Sequence, residues 1–289
     1  MTRSYLKKEL LKYGIINFKI NTMNIVEYMA DLNYLVRNNA HSECTKGLLL
    51  NVEFIKNKLE NLGFEVRLYK NESSTPVIYA FRKSKKSNNS IGIYNHYDVE
   101  LTNDEQWNTN STELTEIGER IFGRGVADNL GIWLLRMYAI ENLSENETPE
   151  IHWLFEGQEE LGSPIAHEVF PKLNLPSMDI WFEETGFFDL TEFRQRFLTL
   201  NENSKLQQAK TKASNLLRNI EFISYTENRH LTKFDKCPFL THILNNQPYM
   251  AVGPNDEYSK IHEPNESLAL PLIVKSFEQF RELLKFYSE

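Results

Sequence analysis

The segment His96-Tyr97-Asp98 contains side chains that could bind a metal ion. It follows an apolar run, and an imidazole is a good zinc ligand. In an extended strand, Asp98 points to the same side as His96 and can accept the second ring proton, which fixes the tautomer of the imidazole. Because this short pattern alone would often be accidental, its interpretation depends on partners elsewhere in the chain.

Asp128 lies in the glycine-rich segment GRGVADNLG, residues 123–131. Glycines on both sides of Asp128 allow the backbone to turn tightly as it enters an apolar helix. Taken alone, an aspartate near the start of a helix is best explained as a helix cap.

Glu159 and Glu160 lie in FEGQEELGS, residues 155–163, directly after an apolar strand. Adjacent carboxylates beside a buried strand are costly unless a cation or a proton compensates them. One of the pair could bind a metal ion while the other acts as a base toward water. The alternative is a solvated acidic loop, which the flanking strand and glycines disfavour.

His262, in IHEPNE at residues 261–266, offers a second imidazole shortly before the last helix. A lone histidine at such a position is more often structural or at the surface. Glu183 follows the apolar run 180–182 and adds another carboxylate, with Glu184 beside it.

The apolar periodicity predicts the elements that must position these side chains. Helices are predicted in two pieces within 23–62, and over 131–143 and 270–287. Strands are predicted over 64–69, 77–81, 90–95, 150–155 and 178–182. Strands that alternate with helices predict an α/β fold, a three-layer sandwich with a mixed, largely parallel central sheet. In open sheets of this kind, sites form where strands end.

In this order the segments resemble the di-zinc metallopeptidase and amidohydrolase family that contains glutamate carboxypeptidase, aminoacylase, carnosinase and succinyl-diaminopimelate desuccinylase. HYDVE is similar to the family's first metal motif, GRGVADNLG to the second, EGQEELGS to the third and IHEPNE to the last. The resemblance covers residues 90–185 and 250–289 well, and the first 90 residues in pattern only. It implies a zinc-exopeptidase-like catalytic domain.

The resemblance implies two zinc ions, although cobalt or manganese would also suit these ligands. The implied metal ligands are His96, Asp128, Glu160, Glu183 and His262. Asp128 would bridge the ions, with His96 and Glu183 completing one and Glu160 and His262 the other. FEET resembles the family's Phe-Glu-Pro-Thr stretch, which favours Glu183 over the alternative Glu184.

The implied reaction is hydrolysis of an amide bond in a small substrate, such as a dipeptide or an N-acyl amino acid. Glu159 would be the general base for a water activated between the two ions, and Asp98 would orient His96. Two alternatives stay open. One is a non-catalytic relative that binds metal or peptide, and the other is an enzyme using the site for a specialised biosynthetic acyl-transfer or deacylation step.

The sequence departs from this family in two ways. Asn129 and Leu130 replace the usual residues after Asp128, and Glu183 and His262 lie only 79 positions apart. The lid and dimerisation domain that most members insert there is therefore predicted to be missing or reduced to residues 187–232, within a single catalytic domain over 1–289. We expect a monomer or a weak homo-oligomer. His230, His242 and Tyr258 are candidates, by chemistry only, for the groups that a lid supplies.

The composition narrows the choice of partner and compartment. A net charge of −8 argues against a nucleic-acid partner, and the basic run 82–86 is interpreted as a solvated hairpin or strand-to-strand loop. The charged residues scattered through the N-terminus argue against a signal peptide, and no apolar stretch is long enough for a membrane span. A cytoplasmic protein with two free thiols, Cys44 and Cys237, is the favoured interpretation over a disulfide between them.

Overall fold

The computed structural model describes residues 23–69, 75–183, 186–217, 222–228 and 237–289. The α-helices are α1 (Ile25–Arg37), α2 (Thr45–Asn61), α3 (Leu130–Glu141), α4 (Pro164–Val169), α5 (Ser204–Asn215) and α6 (Leu270–Ser288). The strands are β1 (Glu65–Tyr69), β2 (Val77–Arg82), β3 (Ser90–His96), β4 (Thr115–Ile117), β5 (Arg120–Phe122), β6 (Glu150–Glu156), β7 (Ile180–Glu183), β8 (Phe187–Asp189), β9 (Arg194–Leu200), β10 (Ile223–Asn228), β11 (Tyr249–Ala251), β12 (Asn255–Asp256) and β13 (Ser267–Ala269).

Ten of these strands form the main sheet of the described chain. Their order is β1-β2-β6-β3-β7-β11-β9-β8-β12, with β10 also paired to β9. The four neighbours β6, β3, β7 and β11 are parallel, while β1, β2 and β6 pair antiparallel. The predicted mixed, largely parallel α/β sheet is therefore confirmed.

The central strands are apolar on both faces, as expected for parallel strands covered by helices on two sides. Along β6, Trp153 and Phe155 belong to one hydrophobic cluster while Leu154 belongs to the other. In β7, Phe182 and Trp181 divide between the clusters in the same way. The sheet is thus the middle layer between two cores.

The larger core contains apolar residues from α1, α2, α3, α5 and α6. Helix α3 lies deep in it, since every residue from Leu130 to Ile140 is buried. This agrees with the predicted buried helix over 131–143. The smaller core, on the opposite face, includes Ile165 from α4 and Phe239 from a π-helical turn over Phe239–Ile243.

A second, three-stranded sheet has the order β13-β5-β4. Its pairings are antiparallel, with Ser267 opposite Phe122 and Ala269 opposite Arg120. The periodicity gave no sign of these three-residue strands. They matter for the site because β5 leads toward Asp128 and β13 follows the segment that carries His262.

The basic run 82–86 connects β2 and β3, as predicted for a strand-to-strand loop. It is not a hairpin, because β6 lies between these two strands in the sheet. Arg82 is also buried rather than solvated: its guanidinium donates to the Leu62 carbonyl over 3.1 Å and to Thr148 Oγ1 over 2.9 Å.

Candidate metal centre

The candidate site lies at the carboxyl ends of the parallel strands. His96 is the last residue of β3 and is paired with Glu156, the last residue of β6. Glu183 is the last residue of the neighbouring strand β7. Polar side chains from three adjacent strands therefore reach one edge of the sheet, where such folds build their sites.

Asp128 lies between two imidazoles. Its Oδ1 is 3.0 Å from His96 Nε2, and its Oδ2 is 3.1 Å from His262 Nε2. The loop before it turns at Gly125, whose φ of 84° is left-handed, and the Asp128-Asn129 peptide bond is cis. An added side chain at Gly125 would also collide with Val99.

Glu160 joins the same cluster from the 3₁₀ turn Glu159–Leu161 that follows β6. Its Oε2 is 3.1 Å from His262 Nε2, and its Oε1 is buried without a hydrogen-bond partner among the described residues. Ligand atoms of His96, Asp128 and Glu160 all lie within 4.8 Å of one another. The structure thus brings four of the five predicted ligands together.

Asp98 connects two parts of the site. Its carboxylate is 3.3 Å from His96 Nδ1, and its backbone carbonyl is 3.1 Å from the same nitrogen. The carboxylate also accepts hydrogen bonds from the backbone N–H groups of Glu159, over 3.3 Å, and Glu160, over 3.1 Å. Asp98 therefore holds the His96 ring and the acidic turn in one arrangement.

Two further carboxyl groups beside the cluster have perturbed acidity. Burial raises the pKa of Glu159, and the carboxylates around it add to this shift although His96 opposes it. Burial also raises the pKa of Glu156 to about 7, although Tyr94 Oη donates to its Oε1 over 2.6 Å. A raised pKa suits a carboxylate that must accept and return a proton near neutral pH.

Glu183 occupies a different local environment. Its Oε2 accepts a hydrogen bond of 2.7 Å from the hydroxyl of the buried Tyr249, and its backbone carbonyl accepts one of 2.8 Å from Arg136. These contacts connect Glu183 to β11 and α3 rather than to Asp128. Glu184, the alternative ligand, lies outside the described residues.

In the cluster, imidazoles face carboxylates, and each kind of group shifts the pKa of the other. Burial opposes a charge on His96, but Asp128 and Asp98 outweigh it and hold its pKa well above the ordinary value. Hydrogen bonds to Asp128 and Glu160 raise the pKa of His262 to about 10. Burial disfavours the Asp128 carboxylate, yet the two histidines lower its pKa below the ordinary range.

The donor atoms of these residues and the distances between them are compatible with a bound zinc ion. Two imidazoles and carboxylate oxygens form a donor set that zinc prefers. Atoms about 2.0–2.2 Å from one tetrahedral ion lie roughly 3.3–3.6 Å apart, only a few tenths of an ångström beyond the 3.0–3.1 Å contacts here. Glu160 Oε1, which has no hydrogen-bond partner in the described part of the chain, is a further buried acceptor that a cation would satisfy.

Glu266 is a site residue whose role the sequence did not reveal. This fully buried carboxylate accepts hydrogen bonds from the backbone N–H groups of Gly125, Ala127 and Asp128 and from the Arg124 guanidinium. Burial raises the pKa of Glu266 although Arg124 opposes the shift. The sequence contained one indication of this role, since the acidic Glu266 lies just before the apolar run 268–270.

Within the described residues, the contacts of the lid candidates His242 and Tyr258 are with residues other than the proposed metal ligands. The exposed His242 lies beside His167, with ring centroids 6.1 Å apart. Tyr258 is 55% exposed on the loop before His262, with Arg120 over its ring. His230 lies outside the described residues.

The segment between Glu183 and His262 contributes strands to the main sheet. Its described parts contain β8 to β12 and helix α5. The expectation that residues 187–232 are a remnant or replacement of a lid stays a prediction. Cys44 and Cys237 are both free, and no helix in the described ranges is long and apolar enough to cross a membrane.

Comparison with known proteins shows that the middle of the chain is similar to a peptidase family. Residues 92–185 match the profile of Peptidase family M20/M25/M40. The human Beta-Ala-His dipeptidase is 32% identical over 101 residues, which cover 34% of this chain and 20% of that protein. The cysteinylglycine-S-conjugate dipeptidase of Corynebacterium striatum is 30% identical over 113 residues, covering 38% of this chain and 25% of that protein. The matched segments thus span a quarter or less of these relatives.

The likeness of fold to a solved structure extends over a longer stretch of the chain. The di-peptidase Dug1p of Saccharomyces cerevisiae superposes with a TM-score of 0.68 at 13% identity, covering 91% of this chain and 96% of that one. At such low identity the likeness establishes the fold and nothing finer. Residues 92–185 of the chain are therefore similar to Peptidase family M20/M25/M40, and the described chain shares the fold of the yeast di-peptidase.

Proposed function

We propose that this protein is a metal-dependent hydrolase that cleaves the amide bond of a dipeptide or a similarly small substrate. The observation that carries the proposal is the placement of Asp128, whose two oxygens face different imidazoles at 3.0 and 3.1 Å. A carboxylate placed in this way can bridge two cations. The dipeptidase names of two relatives support the substrate class.

The proposed ligands follow the two sides of Asp128. His96 and Glu183 would bind one ion, and Glu160 and His262 would bind the other. The contact of 3.1 Å between His262 Nε2 and Glu160 Oε2 supports the second pair. For Glu183 the support is its position at the end of β7, next to the strand that ends in His96.

Bound zinc ions would polarise the scissile carbonyl and lower the pKa of the attacking water. The protein's own contribution begins with Glu159, which we assign as the general base. Its burial and raised pKa suit it to accept a proton from water and return it to the leaving amine. Asp98 would act as a positioning residue, because it bonds to His96 and to the backbone N–H of Glu159.

The first experiment measures bound metal per chain by elemental analysis, on protein purified without chelator. We expect about two zinc ions in the wild type and loss of most of them in Asp128→Ala, which removes the proposed bridge. Wild-type protein that stays free of metal after zinc is supplied would refute the metal centre. In that case a non-catalytic binding role would become the better explanation.

The second experiment tests the general base with a panel of dipeptides and N-acyl amino acids. Glu159→Gln should retain metal and lose about 10²–10⁴-fold in turnover. Glu168→Gln is the matched control, because Glu168 is exposed on α4 and pairs with Lys172 at the surface. Metal without turnover on any substrate in wild-type protein would favour the binding role, and turnover restricted to an acyl-transfer or deacylation substrate would favour a specialised biosynthetic step.

A further inference from the structure

Glu266 lies between the two segments that carry Asp128 and His262. It is fully buried, follows His262 by four residues and directly precedes β13. We propose that Glu266 is a positioning residue that sets the distance between Asp128 and His262 in the metal centre. The proposal rests on the metal centre described under Proposed function.

The carboxylate of Glu266 accepts four hydrogen bonds from the loop before α3. Its Oε1 accepts from the backbone N–H of Ala127 over 2.8 Å and of Asp128 over 3.0 Å. Its Oε2 accepts from the N–H of Gly125 over 3.0 Å and from Arg124 Nη1 over 2.8 Å. Both oxygens are thus used to define the path of the backbone that ends at Asp128.

The backbone of Glu266 adds a fifth bond to the same loop, since its carbonyl accepts from the N–H of Gly123 over 3.2 Å. The loop between residues 123 and 128 is therefore bonded to Glu266 along most of its length. A displacement of Glu266 must carry the backbone of Asp128 with it, or break buried hydrogen bonds.

His262 depends on its loop for its position. Its side chain is 51% exposed, so little packing surrounds it, and its backbone is left-handed with a φ of 62°. The loop is closed by hydrogen bonds from Ser267 N to the Ser259 carbonyl, and from Glu263 N to the Lys260 carbonyl. Because Glu266 lies within this closed loop, the same residue locates His262 on one side and Asp128 on the other.

The start of the His262 loop has a second anchor, which offers a matched control. Asp256 is buried and pairs with both terminal nitrogens of Arg120, over 2.7 and 3.0 Å. It also forms hydrogen bonds with Tyr258 and Ser259 of its own loop. Asp256 therefore anchors the loop that carries His262 through β5, whereas Glu266 anchors it to the backbone at Asp128.

The charge and both oxygens of Glu266 are needed for this arrangement. A glutamine at this position would present one acceptor oxygen and one NH₂ donor to a set of four donors. At least one buried N–H of the loop would then face another donor and lose its partner, which costs more than the loss of a solvent-exposed bond. The loop is expected to shift in order to restore these bonds.

The test compares Glu266→Gln with Asp256→Asn in the full chain. Zinc affinity is measured by competition with a chromophoric chelator, and the ligand field by the absorption of the cobalt-substituted proteins. We expect Glu266→Gln to weaken zinc binding by about 10- to 100-fold and to change the cobalt spectrum, while Asp256→Asn changes affinity by less than about threefold. Thermal unfolding of the metal-free proteins reports any loss of stability that the two variants share.

The inference is overturned if Glu266→Gln binds zinc as the wild type does, or if both variants lose affinity equally. Equal losses would mean that anchoring of the loop, rather than the bond to the Asp128 segment, matters. Glu266→Asp provides a second variant if the glutamine protein fails to fold, because it keeps the charge. The Glu266→Asp protein should bind zinc more weakly than the wild type, by a factor of less than ten. Zinc affinity equal to that of the wild type, together with an unchanged cobalt spectrum, would also count against the proposal. Wild-type protein without metal would instead refute the proposed function itself.

Discussion

Replacing Glu156 with glutamine should make the metal-free protein more stable at neutral and alkaline pH. Glu156 ends β6 and is 1% exposed, with Tyr94 donating to one of its oxygens. Burial raises its pKa from 4.5 to about 7. At 1.36 kcal/mol per pH unit, that difference corresponds to about 3 kcal/mol.

The sign follows from proton binding. Because the pKa of Glu156 is higher in the folded protein, the folded state keeps a proton that the unfolded chain releases. The free energy of unfolding due to this group therefore falls as the pH rises from about 4.5 through 7. A neutral glutamine has no such dependence, and its oxygen can still accept from Tyr94.

The assay is urea unfolding of the metal-free wild type and Glu156→Gln at intervals from pH 5 to 8. We expect the variant to gain about 2–3 kcal/mol relative to the wild type across this range. Tyr94→Phe is the control, because it removes the hydroxyl that favours the charged carboxylate. In Tyr94→Phe the pKa of Glu156 should rise further, so the loss of stability should continue to higher pH than in the wild type. A difference between variant and wild type that stays constant with pH, or that shrinks, would refute the reasoning.

Three further predictions concern packing, thiol reactivity and the proposed fifth ligand. Gly157→Ala should lower the free energy of unfolding in urea by about 1–3 kcal/mol, because an added Cβ would collide with the buried ring of Tyr97. An unchanged free energy of unfolding would contradict this prediction. Burial raises the pKa of Cys237 to about 12, so its alkylation rate should still increase above pH 9, and a plateau near pH 8.5 would argue against it. Tyr249→Phe removes the hydrogen bond to Glu183 and should weaken zinc binding by about 10-fold in chelator competition. Unchanged zinc affinity would argue against Glu183 as a metal ligand.

Most of the framework could be predicted from local pattern. The predicted strand over 90–95 is β3, and the predicted helix over 131–143 is α3 within two residues at each end. Both elements are largely apolar, and their different lengths distinguish the strand from the helix. The three-residue strands β4, β5 and β13 were missed because a strand that short contains too few residues to show an alternation.

The residue types of the candidate site could also be predicted from sequence, through motifs that follow strands. The contacts between these residues could not be predicted from sequence. His96 and Asp128 are 32 positions apart, and Asp128 and His262 are 134 apart, so no local spacing relates them. The roles of Glu266 and Tyr249 were missed for the same reason, since each acts through a partner far away in the chain.

The central strands and the polar side chains that end them are encoded locally in the chain, because hydrophobic patterning acts over a few residues. The placement of one Asp128 oxygen against His96 and of the other against His262 is not encoded in this way. It depends on the paths of two loops that meet only in the folded molecule. Those paths are fixed by long-range hydrogen bonds such as those of Glu266 to residues 124–128, because buried backbone N–H groups need partners.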